Sequence, residues 1–230
     1  MNTEEQSPPT AENNRRIFIV DDHPMLREGL IRLIQERQQW SVCGESTTSS
    51  EALDLIPALQ PDLVMMDISL PDKSGLELVK DLQALCPHLK VLVFSMHDEM
   101  LYAERVMRAG AKGYLMKGAP AEDLAEAIES VLGGGLYLSS RVSNHILKSL
   151  SHKQPLGQQR LEKLTDRELE VFELIGLGKT NSQIAEQLHI STRTVDAHRW
   201  NIKTKLALPD APALMREAVL WVELAARQRS

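Results

Sequence analysis

Apolar residues fall into two rhythms along this chain of 230 residues. Through the first 133 residues they form short, nearly continuous runs: Ile17-Phe18-Ile19-Val20, Leu63-Val64-Met65-Met66 and Val91-Leu92-Val93-Phe94, with weaker ones at Ser41 to Gly44 and Gly113-Tyr114-Leu115-Met116. A short apolar run bounded by polar residues predicts a strand buried on both faces. Between the runs the spacing changes to three and four. Met25, Leu26, Leu30 and Leu33 follow the first run, and Leu76, Val79, Leu82 and Leu85 follow the third, each set predicting a helix. Five such strands alternating with helices predict a doubly wound α/β domain, a five-stranded parallel sheet covered on both faces.

After Leu132 three glycines, Gly133 to Gly135, stop the helical pattern. Ser139 to Leu150 reads as a short linker helix, and Ser151 to Gln159, polar and holding Pro155 and Gly157, as a flexible join. From Leu164 no strand signal remains. Thr165 and Glu168 have capping-box spacing and open a helix to about Leu177, which Gly178 breaks. A short helix follows through Ile184, Ala185 and Leu188. His189-Ile190-Ser191 is a turn, and a third helix runs from Thr192 to Leu206. Pro209 and Pro212 bound the last connection, before a fourth helix through Leu214, Ala218, Val219 and Val222. The expected division is a disordered leader over 1–14, an α/β domain over 15–133, a linker over 134–160 and an all-α four-helix domain over 161–230.

Charge refines this picture. The net charge of −6 is no DNA-binder's signature, but it is unevenly placed. From Arg160 onward 11 basic face 10 acidic residues, against 15 basic and 22 acidic before it. An acidic first part suits a cation and phosphate site; a neutral second part is compatible with a nucleic-acid reader. Cys43 and Cys86 alone make neither a disulfide framework nor a zinc cluster. No stretch approaches the ~20 apolar residues that cross a bilayer. The polar N-terminus lacks the features of a signal peptide, so a cytoplasmic protein without membrane contact is expected.

The candidate chemistry lies at strand ends. Asp21 and Asp22 follow the first predicted strand, Asp67 the third, Ser95 the fourth and Lys117 the fifth. In doubly wound folds the carboxyl ends of the strands form the ligand crevice, so these residues should converge. Clustered carboxylates repel unless a cation joins them, and Mg²⁺ takes oxygen ligands while leaving positions open for phosphate. Asp is a competent nucleophile toward phosphoryl groups, Lys a point charge for phosphate oxygens and Ser a hydroxyl donor. Each taken alone has an ordinary reading: Asp22 before His23-Pro24 as a helix cap, Lys117 as a surface lysine, Tyr114 as a core aromatic.

On the predicted third helix of the second domain, Val195, His198, Ile202 and Leu206 recur on one face and should point inward. Asp196, Arg199, Trp200 and Lys203 fall on the opposite, outward face. A short helix, tight turn and second helix make a helix-turn-helix, which places the second helix in the major groove. Arg and Lys there suit phosphates and base edges of double-stranded DNA.

The segment Ile17 to Leu132 resembles the receiver domain of response regulators, through Ile-Phe-Ile-Val-Asp-Asp-His-Pro, Leu-Val-Met-Met-Asp-Ile-Ser-Leu-Pro and Gly-Ala-Lys-Gly-Tyr-Leu-Met-Lys. The resemblance implies a flavodoxin-like receiver in which Asp67 is phosphorylated by a sensor histidine kinase. Asp21, Asp22, Asp67 and the Ser69 carbonyl would hold Mg²⁺, with Asp22 binding directly. Lys117 would pair with the phosphoryl group, Ser95 would move to bond it, and Tyr114 would swing with Ser95. Leu164 to Leu206 resembles the LuxR-type DNA-binding domain, with Thr-Val-Asp-Ala-His-Arg-Trp-Asn-Ile-Lys-Thr-Lys-Leu as its recognition helix. Phosphate contacts are expected from Thr194, Arg199 and Lys203, further contact from Thr192, and base reading from Asp196, Ala197 and Trp200. Together the two match the NarL/FixJ class of regulators, which implies a non-enzyme transcription regulator, a homodimer when phosphorylated or on DNA, and RNA polymerase as a further candidate partner. At rest the acidic receiver is expected to shield Arg199 and Lys203. A phosphatase using an aspartyl phosphate is disfavoured, because Asp67-Ile68-Ser69 lacks the second acid two residues on. A quorum-type ligand sensor would lack the strand-end acids, and a receiver that docks only on protein is separable by DNA footprinting.

Overall fold

The structure, a computed structural model, describes residues 14–151, 161 and 163–227, with the backbone alone for 148–151 and 225–227. The expected leader, apart from Asn14, and the expected join after Ser151 lie outside these residues. The strands are β1 (Arg15–Val20), β2 (Trp40–Ser46), β3 (Leu63–Met66), β4 (Lys90–Ser95) and β5 (Gly113–Met116), in one parallel sheet of order β2-β1-β3-β4-β5. The helices between and after them are α1 (Pro24–Gln35), α2 (Ser49–Leu59), α3 (Gly75–Leu85), α4 (Glu99–Ala109) and α5 (Ala121–Leu132). The order reverses direction at β1 and β3, which opens a crevice where the chain leaves these two strands.

Alternation along the strands sorts the core into two layers. Ile17, Ile19, Leu63, Met65 and Leu92 pack with Leu30 and Ile34 of α1 and with Leu124, Ala127, Ile128 and Val131 of α5. Phe18, Val20, Val64, Met66, Val91 and Val93 face the other way, against α2, α3 and α4. Both faces are covered, which is why the strands read as unbroken apolar runs. Two apolar residues counted toward helix cores face solvent instead: Met25 is 89% exposed and Leu85 61%. Each sits at a helix terminus, where the apolar stripe has run past the sheet.

The second layer does not stop at the α/β domain. Among the described residues, α6 (Ser140–Ser151) is followed by α7 (Asp166–Gly176), α8 (Asn181–Gln187), α9 (Thr192–Lys205) and α10 (Ala211–Arg227). Their buried residues, among them Leu164, Leu169, Phe172, Ile175, Ile184, Val195, Ile202 and Leu214, continue the same cluster from α3 and α4. The Thr165–Glu168 capping box is formed, and a second one joins Thr180 and Gln183. Gly178 takes φ +77, a left-handed turn that suits glycine. Pro212 lies inside α10 instead of before it: a proline at the second helical position sacrifices no backbone bond.

Asp72, in the loop before α3, caps α2 from outside by accepting hydrogen bonds from the N–H groups of Ser49 and Ser50 (2.9 Å each) and from the Ser50 hydroxyl. Burial opposes its charge, but these donors outweigh burial and hold its carboxyl below the usual range. A depressed carboxylate contributes stability that is present above its unfolded pKa and lost as pH falls through the folded one. Asp72→Ala should therefore cost about 1 kcal/mol at neutral pH, and urea titrations of both proteins should show the gap narrowing as the solution is acidified through the carboxylate range. Gly176 is a packing constraint: a Cβ there would lie 2.4 Å from the Ala218 carbonyl and 2.6 Å from Val222 Cγ2. Gly176→Ala should destabilise the C-terminal helices by about 1–3 kcal/mol, read as an earlier thermal transition of that domain.

Candidate functional site

The crevice brings the strand-end residues together. Asp21 is buried just past β1, and its backbone N–H donates to the Ser46 carbonyl of β2. Asp67 is buried just past β3 and fixed likewise by its N–H to the Val20 carbonyl at 2.9 Å. Lys117 follows β5, its ammonium enclosed between Asp21 Oδ2 at 2.7 Å and Asp67 Oδ2 at 2.6 Å. The other Asp67 oxygen, Oδ1, accepts from the Ser95 hydroxyl at 2.7 Å and from the Ile68 N–H at 2.6 Å. Gly75 permits the tight return behind this site, since a Cβ there would meet the Asp67 carbonyl at 2.2 Å.

Asp21, Asp22, His23 and Asp67 offer ligand atoms within 4.8 Å of one another. Three carboxylates and the single ammonium of Lys117 leave the cluster two negative charges in excess. Asp22 Oδ1 is enclosed and accepts no hydrogen bond: His23 Nδ1 lies 2.8 Å from it but is aligned with Asp21 Oδ1 instead. Three carboxylates with a surplus of two charges and one oxygen that accepts no hydrogen bond fit a hard divalent cation, with the exposed His23 ring at their rim.

Ser69 and Tyr114 both meet His97 at the edge of the crevice. The Ser69 hydroxyl is engaged by His97 Nε2 at 2.8 Å. Tyr114 is already turned inward and buried, its hydroxyl donating to the His97 carbonyl at 2.8 Å. Burial, with Glu173 and Asp67 nearby, raises its phenol well above the usual range, so it stays a donor.

His97 was not singled out in the sequence, and it connects the crevice to the C-terminal domain. Its Nδ1 lies 2.6 Å from Glu173 Oε2 on α7, and the Tyr102 hydroxyl donates to the same oxygen at 2.9 Å. Burial works against a charge on this imidazole, but the Glu173 hydrogen bond and the charges of Glu173, Glu170 and Asp67 prevail, and its pKa is raised. Further contacts surround this one. Ser74 Oγ donates to Glu170 at 2.8 Å, Lys80 pairs with Asp166 at 2.8 Å, and Arg105 donates to the carbonyls of Leu161 and Leu164.

The second candidate surface is α9. Val195, Ile202 and Leu206 point inward and His198 is half-buried, with burial lowering its pKa. Thr192, Thr194, Asp196, Ala197 and Trp200 are exposed, Trp200 at 61%, with Arg199 and Lys203 partly so. The Asn181 side-chain amide donates to Asp196 Oδ1 at 2.6 Å, which positions this exposed carboxylate on the outer face of the helix. Thr194 is tied to the cap residue Ser191 through its N–H and its hydroxyl. The expected shielding of Arg199 and Lys203 by the acidic domain is not what is found: that domain meets α7 and leaves the Trp200 face open. Among the described residues its one ion pair near α9 is at the preceding turn, where His189 Nε2 lies 3.7 Å from Asp22 Oδ2.

Residues 17–129 match the family described as the response regulator receiver domain, and residues 162–218 the bacterial regulatory proteins of the luxR family. The transcriptional regulatory protein DegU of Brevibacillus brevis is 33% identical, the match covering 93% of this chain and 97% of DegU. The oxygen regulatory protein NreC of Staphylococcus haemolyticus is also 33% identical, over 89% of this chain and 96% of its own. Among solved structures, a LuxR-family two-component response regulator from Aurantimonas sp. SI85-9A1 is 34% identical with a TM-score of 0.57, covering 60% of this chain and 99% of that one. RcsB from Salmonella enterica serovar Typhimurium, bound to promoter P1flhDC in the presence of the phosphomimetic BeF3-, is 25% identical with a TM-score of 0.61, covering 90% of this chain and 98% of its own. Both halves of the chain are thus accounted for in the order in which full-length relatives carry them: it belongs to the NarL/FixJ class of two-component response regulators, a receiver domain followed by a LuxR-type DNA-binding domain.

Proposed function

We propose that Asp67 accepts the phosphoryl group from a sensor histidine kinase and that this event governs sequence-specific binding of α9 to double-stranded DNA. The observation that carries the reading is the clamp on Asp67: Lys117 on one carboxylate oxygen, the Ser95 hydroxyl on the other, and an unanswered Asp22 oxygen beside them. An Asp67 oxygen attacks phosphorus as the bond to the donor nitrogen breaks; the imidazole leaves and an acyl phosphate remains, later cleaved by water. Phosphoryl transfer asks mainly for positioning and charge neutralisation. Lys117 and the Ser95 hydroxyl supply two contacts for the phosphoryl oxygens. Asp21, Asp22, Asp67 and the Ser69 carbonyl would hold Mg²⁺, which when bound neutralises charge on the transferring group. No second acid follows Asp67 at the position a phosphatase would use, so turnover stays limited to this self-dephosphorylation.

On the DNA side Thr192, Thr194, Arg199 and Lys203 serve phosphates, and Ala197 and Trp200 face the bases. Asp196, held through one oxygen by Asn181, keeps the other for a base donor. A phosphorylated dimer on two half-sites, with RNA polymerase as a partner at the promoter, completes the reading. It is supported by the RcsB complex with promoter DNA and by the class to which the chain belongs. The division into a leader over 1–14, a receiver over 15–133, a linker over 134–160 and a DNA-binding domain from 161 belongs to the same proposal.

Incubation with acetyl phosphate and Mg²⁺ should add one acid-labile phosphate to the wild type and none to Asp67→Asn; undiminished labelling of the variant would sink the assignment. Calorimetric titration should show weaker Mg²⁺ binding by Asp22→Ala, and equal affinity would contradict the ligand set. At fixed salt, phosphorylation should raise affinity for a duplex selected from a random pool by roughly 5- to 150-fold, the usual span of such couplings. Lys203→Ala should lower the salt slope of that binding by about one phosphate contact.

A further inference from the structure

Helix α7 is enclosed nearly all round and carries four carboxylates into the enclosure: Asp166, Glu168, Glu170 and Glu173. An enclosed carboxylate is tolerated only where donors satisfy it, so its partners tell what the helix is fitted to. Glu168 is satisfied within its own domain, by Lys205 Nζ at 2.6 Å and the Thr165 N–H at 2.8 Å. Glu170 divides its oxygens between Arg167 of its own helix and Ser74 of the receiver. Asp166 meets Lys80 at the rim of the contact, where the lysine is half exposed. Glu173 differs from these. Both of its hydrogen-bond partners among the described residues, His97 and Tyr102, belong to the receiver, and their rings pack against each other at 4.5 Å.

The remaining polar groups of His97 lead to the phosphorylation crevice. Nε2 reaches the Ser69 hydroxyl, two residues past Asp67. The backbone N–H approaches Ser95 Oγ at 3.5 Å, and the carbonyl accepts from Tyr114. Ser95 in turn holds Asp67 Oδ1. A continuous set of polar contacts therefore runs from the Asp67 carboxylate, through Ser95, to His97 and across the domain boundary to Glu173, with Ser69 and Tyr114 bracing His97 from the receiver side.

We infer that Glu173 and His97 are the two halves of a latch, and that the phosphoryl state of Asp67 reaches the DNA-binding domain through this pair and not through the contacts at the rim. The inference deepens the proposed control of DNA binding by Asp67 and rests on it. A phosphoryl group on Asp67 adds about −1.5 to −2 charges and new acceptor oxygens. Ser95 leaves Asp67 Oδ1 to donate to them, and His97 follows because its N–H and carbonyl are tied to Ser95 and Tyr114. A bond of 2.6 Å tolerates little displacement. Deprived of its donors, an enclosed carboxylate is worse off than a hydrated one, so Glu173 moves to water and α7 undocks with it. The coupling is reciprocal: what holds Glu173 in place also resists phosphorylation.

The test uses the full chain and a duplex selected from a random pool by beryllofluoride-treated wild type. Wild type should gain roughly 5- to 150-fold in affinity on adding beryllofluoride and Mg²⁺. Glu173→Gln and His97→Gln should bind tightly without it, their gain collapsing toward unity, and the double variant should match either single one, because the two act as a unit. Lys80→Met, at the rim, should keep its gain. Imidazole nitrogen NMR gives a readout that simple loss of packing would not move: beryllofluoride should shift the His97 resonances of wild type to their positions in Glu173→Gln. No gain in wild type would defeat the control of DNA binding itself. A wild-type gain retained in full by Glu173→Gln and His97→Gln would overturn the latch alone. So would a Lys80→Met variant that loses its gain as completely as they do, or His97 resonances that beryllofluoride leaves unmoved.

Discussion

A carboxylate removed from water has to be met by a donor or a cation, and this chain encloses carboxylates in two places that touch. At the strand ends, Asp21 and Asp67 share the Lys117 ammonium while Asp22 keeps one oxygen unmet. On α7, four buried acids are met one by one, three of them at the boundary between domains. The parallel sheet exists, in this sense, to aim the first group, since its order places β1, β3 and β5 so that three loops deliver opposite charges to one point. The same demand fixes how the domains sit, because the DNA-binding domain can bury its first helix only where the receiver offers His97, Tyr102, Ser74, Lys80 and Arg105.

Much of this was legible in the amino-acid order. The five apolar runs are the five strands, because a strand covered on both faces has no polar side to interrupt it. Asp21, Asp22, Asp67, Ser95 and Lys117 converge because each follows such a run, and the facing of α9 follows from its spacing of three and four. Helix ends were harder: Met25 and Leu85 keep the apolar spacing past the point where there is sheet to cover, and Pro212 can open α10 as well as precede it.

The boundary between domains was not legible at all. Glu173 and His97 are 76 positions apart, and no local rhythm connects them. The one trace is α7 itself, where acids alternate with Leu169, Val171, Phe172 and Leu174 so closely that no clean polar face exists; a helix of that kind is wrapped on all sides. The expectation that the acidic domain would cover Arg199 and Lys203 followed from net charge, which ranks surfaces by sign and knows nothing of shape. Specific donors to buried acids outweighed it. On α9 the same preference for a near partner gives one Asp196 oxygen to Asn181 before any base arrives.

The apolar cluster that runs unbroken from α3 and α4 into the C-terminal helices has its own consequence. When α7 leaves the receiver, Leu169 and the α4 residues Met100 and Leu101 lose cover together with the acids. Newly bared apolar surface of this kind favours association. A second copy of the chain is the nearest thing that can bury it, and mass action then ties the population of the open form to protein concentration. Were a second copy to cover it, the abundance of the regulator would become an input beside the stimulus, since the released form would persist only at concentrations where pairing hides its bared surface.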